Sequence, residues 1–347
     1  MHVLLLTHCW QPYIHHSKYS GYERIAYYLK DLCDVDVLTW KFGRLNYADD
    51  LNVRRVITPP SDVLLERRLI LSAAALRYIR DYDVVHALYP IPGLFPSFKG
   101  NTIATIHLTS DIEKKGVWWQ YHTLLQRIVY KKAVRVITVS TNLKEVLEQK
   151  YNVENVVYIP HGVDTAHFCP RPPKNNVKCE LLKDHFDFIC LTTGIMGTVV
   201  EDIYKIAQQF PKGLFMGVGI GKSKRSLSNV ILLSGIPEEY LVDLYNVADF
   251  FFKPLRFATA NNSILEAMSM GKAIVTNAIP GVFDYLDDDS SYLVQSGQEY
   301  TDVINQVLEN KEERRLRGVH AREKALKEFD WSVDASKVFE VYKSVIG

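Results

Sequence analysis

The stretch from Phe252 to Val275, FKPLRFATANNSILEAMSMGKAIV, gathers residue types able to hold a phosphorylated ligand. Two amides, Asn261 and Asn262, and a hydroxyl, Ser263, stand where an apolar helical pattern begins, and one carboxylate, Glu266, lies inside it. Ser263-Ile264-Leu265-Glu266 spells an S-x-x-E capping box, with Asn262 as the alternative N-cap and Gly271 placed as C′. Ile264, Leu265 and Met268 supply a packed face, so Glu266 is explained by the helix alone. A second reading uses the same helix start. Its unpaired N–H groups and the positive end of its dipole make an anion site, and the small residues Thr259 and Ala260 let a phosphate come close. On local grounds both readings stand.

These residues need a scaffold, and the chain spells one. Short apolar runs rich in β-branched residues (VLLLT, VDVLTW, DVVHALY, NTIATIH, VRVITVS) alternate with helical patterns, which predicts a parallel sheet with helices on both faces. The proline-bearing NVVYIPHGVDTAHFCPRPPKNN interrupts them as a linker, with His161 and Asp164 shaping it. A second series follows: FDFICLTTG, GLFMGVG, NVILLSG, ADFFFKPL, KAIVTN and SYLVQ. The expected fold is therefore α/β, two Rossmann-like doubly wound domains facing a cleft: residues 1–168, a linker over 169–184, and 185–330. A C-terminal helix, 331–347, is expected to cross back to the first domain. In such sheets ligands bind outside the carboxyl ends of the strands, which singles out the loops HCWQPYIHHSKYSG, HLTSD, GIMGT, GVGIGKSK and KPLRFATANN.

Composition narrows the classes. With 41 basic and 40 acidic residues in 347, no charge excess argues for nucleic acid. Five scattered cysteines with no C-x-x-C pair argue against a metal site or disulfide framework. No apolar run approaches the roughly 20 residues that cross a bilayer. The expectation is a soluble cytoplasmic protein. Two segments, EKKGVWWQYHTLLQRIVYKK and ERRLILSAAALRYIR, leave a peripheral contact at the inner membrane face as a second reading.

The order of these pieces resembles the retaining GT-B glycosyltransferases of family 4. SILEAMSMGKAIVTNAIPGV is similar to their donor-site signature, roughly E-x7-E-A-M-A-x-G-x-P-V-V. SGYERIAYYLKDL resembles the G-G-x-E opening, TIATIHLTSD the strand ending in the active-site histidine, and YIPHGVDTAHFCP the iPNGVD linker. The resemblance implies a nucleotide-diphosphate sugar bound by the second domain and no metal or other cofactor. Glu266 would accept hydrogen bonds from the ribose hydroxyls, and the N–H groups of Ala260, Asn261, Asn262 and Ser263, beside Thr259, would hold the diphosphate. Gly21 and Gly194 would let backbone approach the donor, and His107 would lie at the reaction centre. His15, His16 and Lys18 are the candidates for a glycan, lipid-linked or other hydroxyl acceptor.

The chain also departs from the pattern. Ala258 stands at the position of the first motif glutamate, and Ile195 where an arginine usually clamps the diphosphate. Lys222, Lys224, Lys253 and Arg256 are the cations available instead, Arg256 being nearest to the missing acid. The function expected is metal-independent sugar transfer with retention. A non-catalytic nucleotide- or glycan-binding relative or partner subunit is the first alternative, and a GT-B nucleotide-sugar epimerase the second.

Overall fold

The computed structural model describes residues 1–8, 10, 22–41, 50–57, 64–108, 117–172, 185–194, 198–221, 225–295 and 299–347. They divide into two compact units, one comprising the chain up to His161 together with Trp331–Gly347, the other Gly162–Asp330.

In the first unit, β1 (His2–Leu6) leads through a 3-10 turn at Tyr22–Arg24 into the short α1 (Ile25–Leu29). There follow β2 (Asp34–Trp40), β3 (Asn52–Val56), α2 (Leu64–Ala75), β4 (Val84–Ala87) and β5 (Thr102–Ile106). Then come α3 (Val117–Lys132), β6 (Arg135–Thr138), α4 (Thr141–Tyr151) and β7 (Val156–Tyr158). The seven strands are parallel in the order β3-β2-β1-β4-β5-β6-β7. β4 and β5 are buried along their whole length, as strands covered on both faces must be.

The second unit repeats the design with β8 (Phe188–Thr193), α5 (Val200–Gln209), β9 (Gly213–Val218), β10 (Val230–Leu233) and α6 (Glu238–Val247). β11 (Phe250–Lys253), α7 (Asn262–Ser269), β12 (Ile274–Asn277), β13 (Tyr292–Val294), α8 (Tyr300–Glu309) and α9 (Lys311–Glu328) complete it. Its parallel order is β10-β9-β8-β11-β12-β13, so the strand order reverses between β8 and β11. That reversal parts the connecting loops and opens a crevice at the carboxyl ends of the two strands.

The final helix, α10 (Trp331–Ile346), belongs to the first unit: Trp331, Ala335, Val338 and Tyr342 sit in the same core as Val3, Leu5 and Ile25. The sequence places the domain boundary at residue 168, whereas the chain divides after His161. Val163 N–H donates to the Phe329 carbonyl and Phe168 lies in the second unit's core, which draws 162–168 into that unit. Most of the expected linker, 173–184, lies outside the described residues.

Candidate functional site

α7 starts where the sequence indicates, with a different cap. Asn261, in extended backbone, accepts a hydrogen bond at its side-chain oxygen from the Ile264 N–H at 3.3 Å. Ser263 is therefore inside the first turn, and the N3 position of a capping box falls on Ile264. The capping-box account of Glu266 is thereby corrected: its carboxyl lies beyond the cap and takes no part in it. The C-terminal half of that reading holds. Gly271 has φ +64°, and Lys272 N–H reaches the Ala267 carbonyl at 2.9 Å, as a Schellman ending requires.

Glu266 instead faces a hollow of about 320 Å³ at the carboxyl ends of β8 and β9. Thr193 and Gly194 form one wall, Asn262, Ser263 and Glu266 of α7 another, and Glu238 at the start of α6 stands on the rim. Val218, Ile236 and Leu241 make the remaining side apolar. Gly194 has φ +73°, and a Cβ there would stand 2.6 Å from Ser263 Oγ, so only glycine lets this wall close against the helix start. The Ser263 N–H lies in the first turn, with no carbonyl a turn below it. A larger hollow, about 480 Å³, lies around Phe210, Lys212 and Arg314 at the amino ends of β8 and β9 and includes none of the candidate residues. Open parallel sheets bind ligands at the other end.

The Tyr245 hydroxyl donates to Glu266 Oε2 at 3.1 Å and lies 3.0 Å from Thr193 Oγ1, which can donate to it in turn. Burial pushes the Glu266 carboxyl up to about 8; the Tyr245 hydrogen bond and the charge of Lys253 oppose this, and Glu238 adds to it. Lys253, at the end of β11, is buried as well. Its Nζ donates to the Gly194 carbonyl at 2.6 Å and to the Thr193 carbonyl, and burial brings its amine down to about 7 against the pull of Glu266. Two ionisable groups are thus held towards neutrality at one crevice, a pattern associated with functional sites.

In the first unit, His107 follows β5. Its Nε2–H donates to the Leu88 carbonyl at 2.8 Å and its Nδ1 accepts from His161 Nε2 at 2.9 Å, a tautomer assigned from these partners. Burial pushes His107 down to about 3, with His161 contributing. Both ring nitrogens are engaged, so a sugar hydroxyl would bind by displacing one partner. His161, read from sequence as a linker residue, is that partner. Asp164 does shape the following turn, its Oδ1 accepting from the His167 N–H at 2.9 Å.

Of the residues singled out in the sequence, Gly194, Asn262, Ser263 and Glu266 line one pocket and Asn261 caps the helix that carries three of them. Thr259 is buried, Ala260 half-buried and Arg256 exposed; none of the three lines the pocket. Ala258 is pressed by Gly281, at φ +83°, where an added Cβ would run into the Ala258 carbonyl. Gly21, Lys222, Lys224, Ile195, His15, His16 and Lys18 lie outside the described residues.

Sequence reasoning missed Tyr245 and Glu23. Tyr245 stands among the apolar positions of LVDLYNV, and a wholly buried phenol needs a polar partner, which is the one available signal. Glu23, in the SGYERIA segment, is buried and pushed up to about 7 by desolvation, with Thr7 Oγ1 donating to it at 3.1 Å. The membrane reading of α2 finds its two arginines turned inward: Arg68 lies 2.6 Å from His8 Nε2 and Arg67 over the Trp40 ring. Among the described residues no helix is long and apolar enough to cross a membrane.

Comparison with known proteins agrees with this architecture. The Glycosyltransferase Family 4 model matches residues 22–167, and the Glycosyl transferases group 1 model matches residues 196–310. A phosphatidyl-myo-inositol mannosyltransferase of Mycobacterium tuberculosis is 25% identical over 296 residues, covering 77% of this chain and 75% of its own. Sucrose-phosphate synthase from Thermosynechococcus elongatus superposes with a TM-score of 0.79 at 17% identity, over 99% of this chain and 98% of that one. Anabaena HepE in complex with UDP and glucose gives 0.78 at 16% identity, over 99% of this chain and 100% of that one. The chain belongs to the glycosyltransferases of family 4, group 1 type, and has their GT-B fold.

Proposed function

We propose that this glycosyltransferase moves a sugar from a nucleotide-diphosphate donor to a glycan, lipid-linked or other hydroxyl acceptor, with retention at the anomeric carbon and without a metal. One observation carries the reading: a buried carboxyl, Glu266, and the open start of α7 line the same small pocket at the strand-order reversal. The ribose hydroxyls would donate to Glu266, the base would lie against Val218, Ile236 and Leu241, and the diphosphate would meet the Ser263 N–H and the Gly194 wall. The UDP named with Anabaena HepE makes a uridine nucleotide the first donor to try. The name of the mycobacterial relative makes a lipid-linked acceptor one to include.

Catalysis would then be positioning and charge stabilisation. The helix start takes up negative charge as the diphosphate leaves, with Arg256, exposed in the loop after β11, as the available cation. The acceptor hydroxyl attacks on the face that the diphosphate leaves, and a phosphate oxygen takes its proton. His107 is assigned to the reaction centre as the resemblance implies. A second reading, a binding protein without turnover, is favoured by Ala258 in place of the expected acid and by the engaged ring nitrogens of His107.

The test is a thermal-shift panel of UDP, GDP, ADP and dTDP on the wild type and Glu266→Ala. A ligand at a hundred times its Kd adds about 2.7 kcal/mol. That corresponds to roughly 5–10 °C for a domain of this size. One nucleotide should shift the wild type and leave the variant unmoved; equal shifts in both would remove Glu266 from the ligand.

A further inference from the structure

Lys253 is a lysine where an apolar residue would fill the same space. Its side chain is only 1% exposed, behind the pocket wall rather than on it. The two carbonyls that it meets, Thr193 and Gly194, end β8 and form that wall. A Cβ on Gly194 would stand 3.5 Å from Lys253 Nζ and 2.6 Å from Ser263 Oγ, so the amine, the glycine turn and the helix start are stacked in contact. The backbone of Lys253 is fixed in turn, its carbonyl accepting from Thr276 Oγ1 at 2.7 Å.

The donor count is informative. A neutral amine has two N–H groups, and two carbonyls receive them. The ammonium has a third, for which the described residues supply no acceptor. Without this residue the negative ends of both carbonyls would be available to turn towards the pocket, against any anion. The charged groups facing this region are Glu266 from α7 and Glu238 from the start of α6.

We propose that Lys253 is the positioning cation of the pocket: it holds the Thr193 and Gly194 carbonyls away from an incoming diphosphate, and its charged form is coupled to the pocket being filled. The inference rests on the placement of a nucleoside diphosphate in this pocket. Lys253 acts from behind the wall, through the turn that it holds and through its field, and supplies part of the charge missing at Ile195. Burial, opposed by Glu266, leaves its amine at about 7 in the empty protein. At pH 8 the empty site is then about one-tenth charged, and at pH 6 about nine-tenths. Filling the pocket with an anion completes the protonation, the proton coming from buffer. Glu266 responds in the opposite sense, since ribose donors favour its carboxylate; because the Lys253 charge lowers that carboxyl, the release grows in Lys253→Met and shrinks in Lys253→Arg.

The experiment is titration calorimetry with UDP, then GDP and ADP, in two buffers of different ionisation enthalpy, on the wild type, Lys253→Arg and Lys253→Met. This amine should account for an uptake of about 0.9 proton at pH 8 and about 0.1 at pH 6 in the wild type that neither variant shows. Lys253→Arg should bind within a few-fold of the wild type, and Lys253→Met about tenfold or more weakly. A purely structural lysine would lower the melting temperature and leave the proton count unchanged. Should one variant fail to fold, the other supplies the same difference. Equal proton counts in the wild type and a folded variant, or unchanged affinity in Lys253→Met, overturn the inference while nucleotide binding stands. A wild type that binds no nucleoside diphosphate overturns the placement beneath it, and this inference with it.

Discussion

A carboxyl group buried beside a phenol and an amine keeps its proton until the pH exceeds its ordinary range, and Glu266 is held in that state. Its folded pKa, about 8, lies above the unfolded value. The stability it lends is therefore complete below the unfolded carboxylate pKa, and is lost as pH rises through about 8. Glu266→Gln keeps an acceptor for Tyr245 and removes the ionisation. At pH 8.5 the ligand-free variant should melt above the wild type, while near pH 4, below the unfolded carboxylate pKa, the two should nearly coincide. A variant less stable at both values would mean that the carboxylate is well solvated. At this scale the sequence was partly legible. The run NNSILE announces a helix start with an acid inside it. Which amide caps it depends on backbone that only the folded loop defines, and the structure gives that role to Asn261. Tyr245 and Lys253 were harder, because the partners that explain them, Glu266 and Thr193, lie 21 and 60 positions away.

The elements were the most legible level, because period and punctuation are local properties. Apolar runs gave strands, and Gly271 gave the end of α7. In the proposed function α7 binds where it meets the β8 exit turn, and that contact rests on Gly194. Gly194→Ala places a side chain at φ +73° and brings its Cβ to 2.6 Å from Ser263 Oγ. The left-handed conformation costs about 1–2 kcal/mol, and the clash adds to it. Nucleotide-dependent thermal shift should be abolished, and the ligand-free melting temperature should fall by several degrees. Gly100, at φ +87° with nothing within 4 Å of an added Cβ, is the control: Gly100→Ala pays the conformational cost and keeps the shift. If Gly194→Ala binds nucleotide as the wild type does, the turn is not part of the site.

At the scale of the molecule, two doubly wound units follow from two series of strand–helix alternation. The C-terminal helix is expected to return to the first domain, and the contacts of α10 show what holds it there. Tyr342 OH lies 2.6 Å from Nδ1 of His86, a histidine wholly buried in β4 and 256 positions earlier in the chain. No sequence pattern encodes such a pair. Nor does the fold decide the chemistry, since one architecture hosts many activities and the site must supply the answer. The account stands on the pocket in the second unit being the donor site of a working transferase. The direct measurement is release of nucleoside diphosphate from a panel of UDP-, GDP-, ADP- and dTDP-sugars, with and without mixed glycan and lipid acceptors, for the wild type and Glu266→Ala. The account predicts turnover of one donor class by the wild type and a loss of at least about a hundredfold in the variant. Nucleotide binding with no release from any donor would contradict it, leaving a binding protein built on a transferase fold.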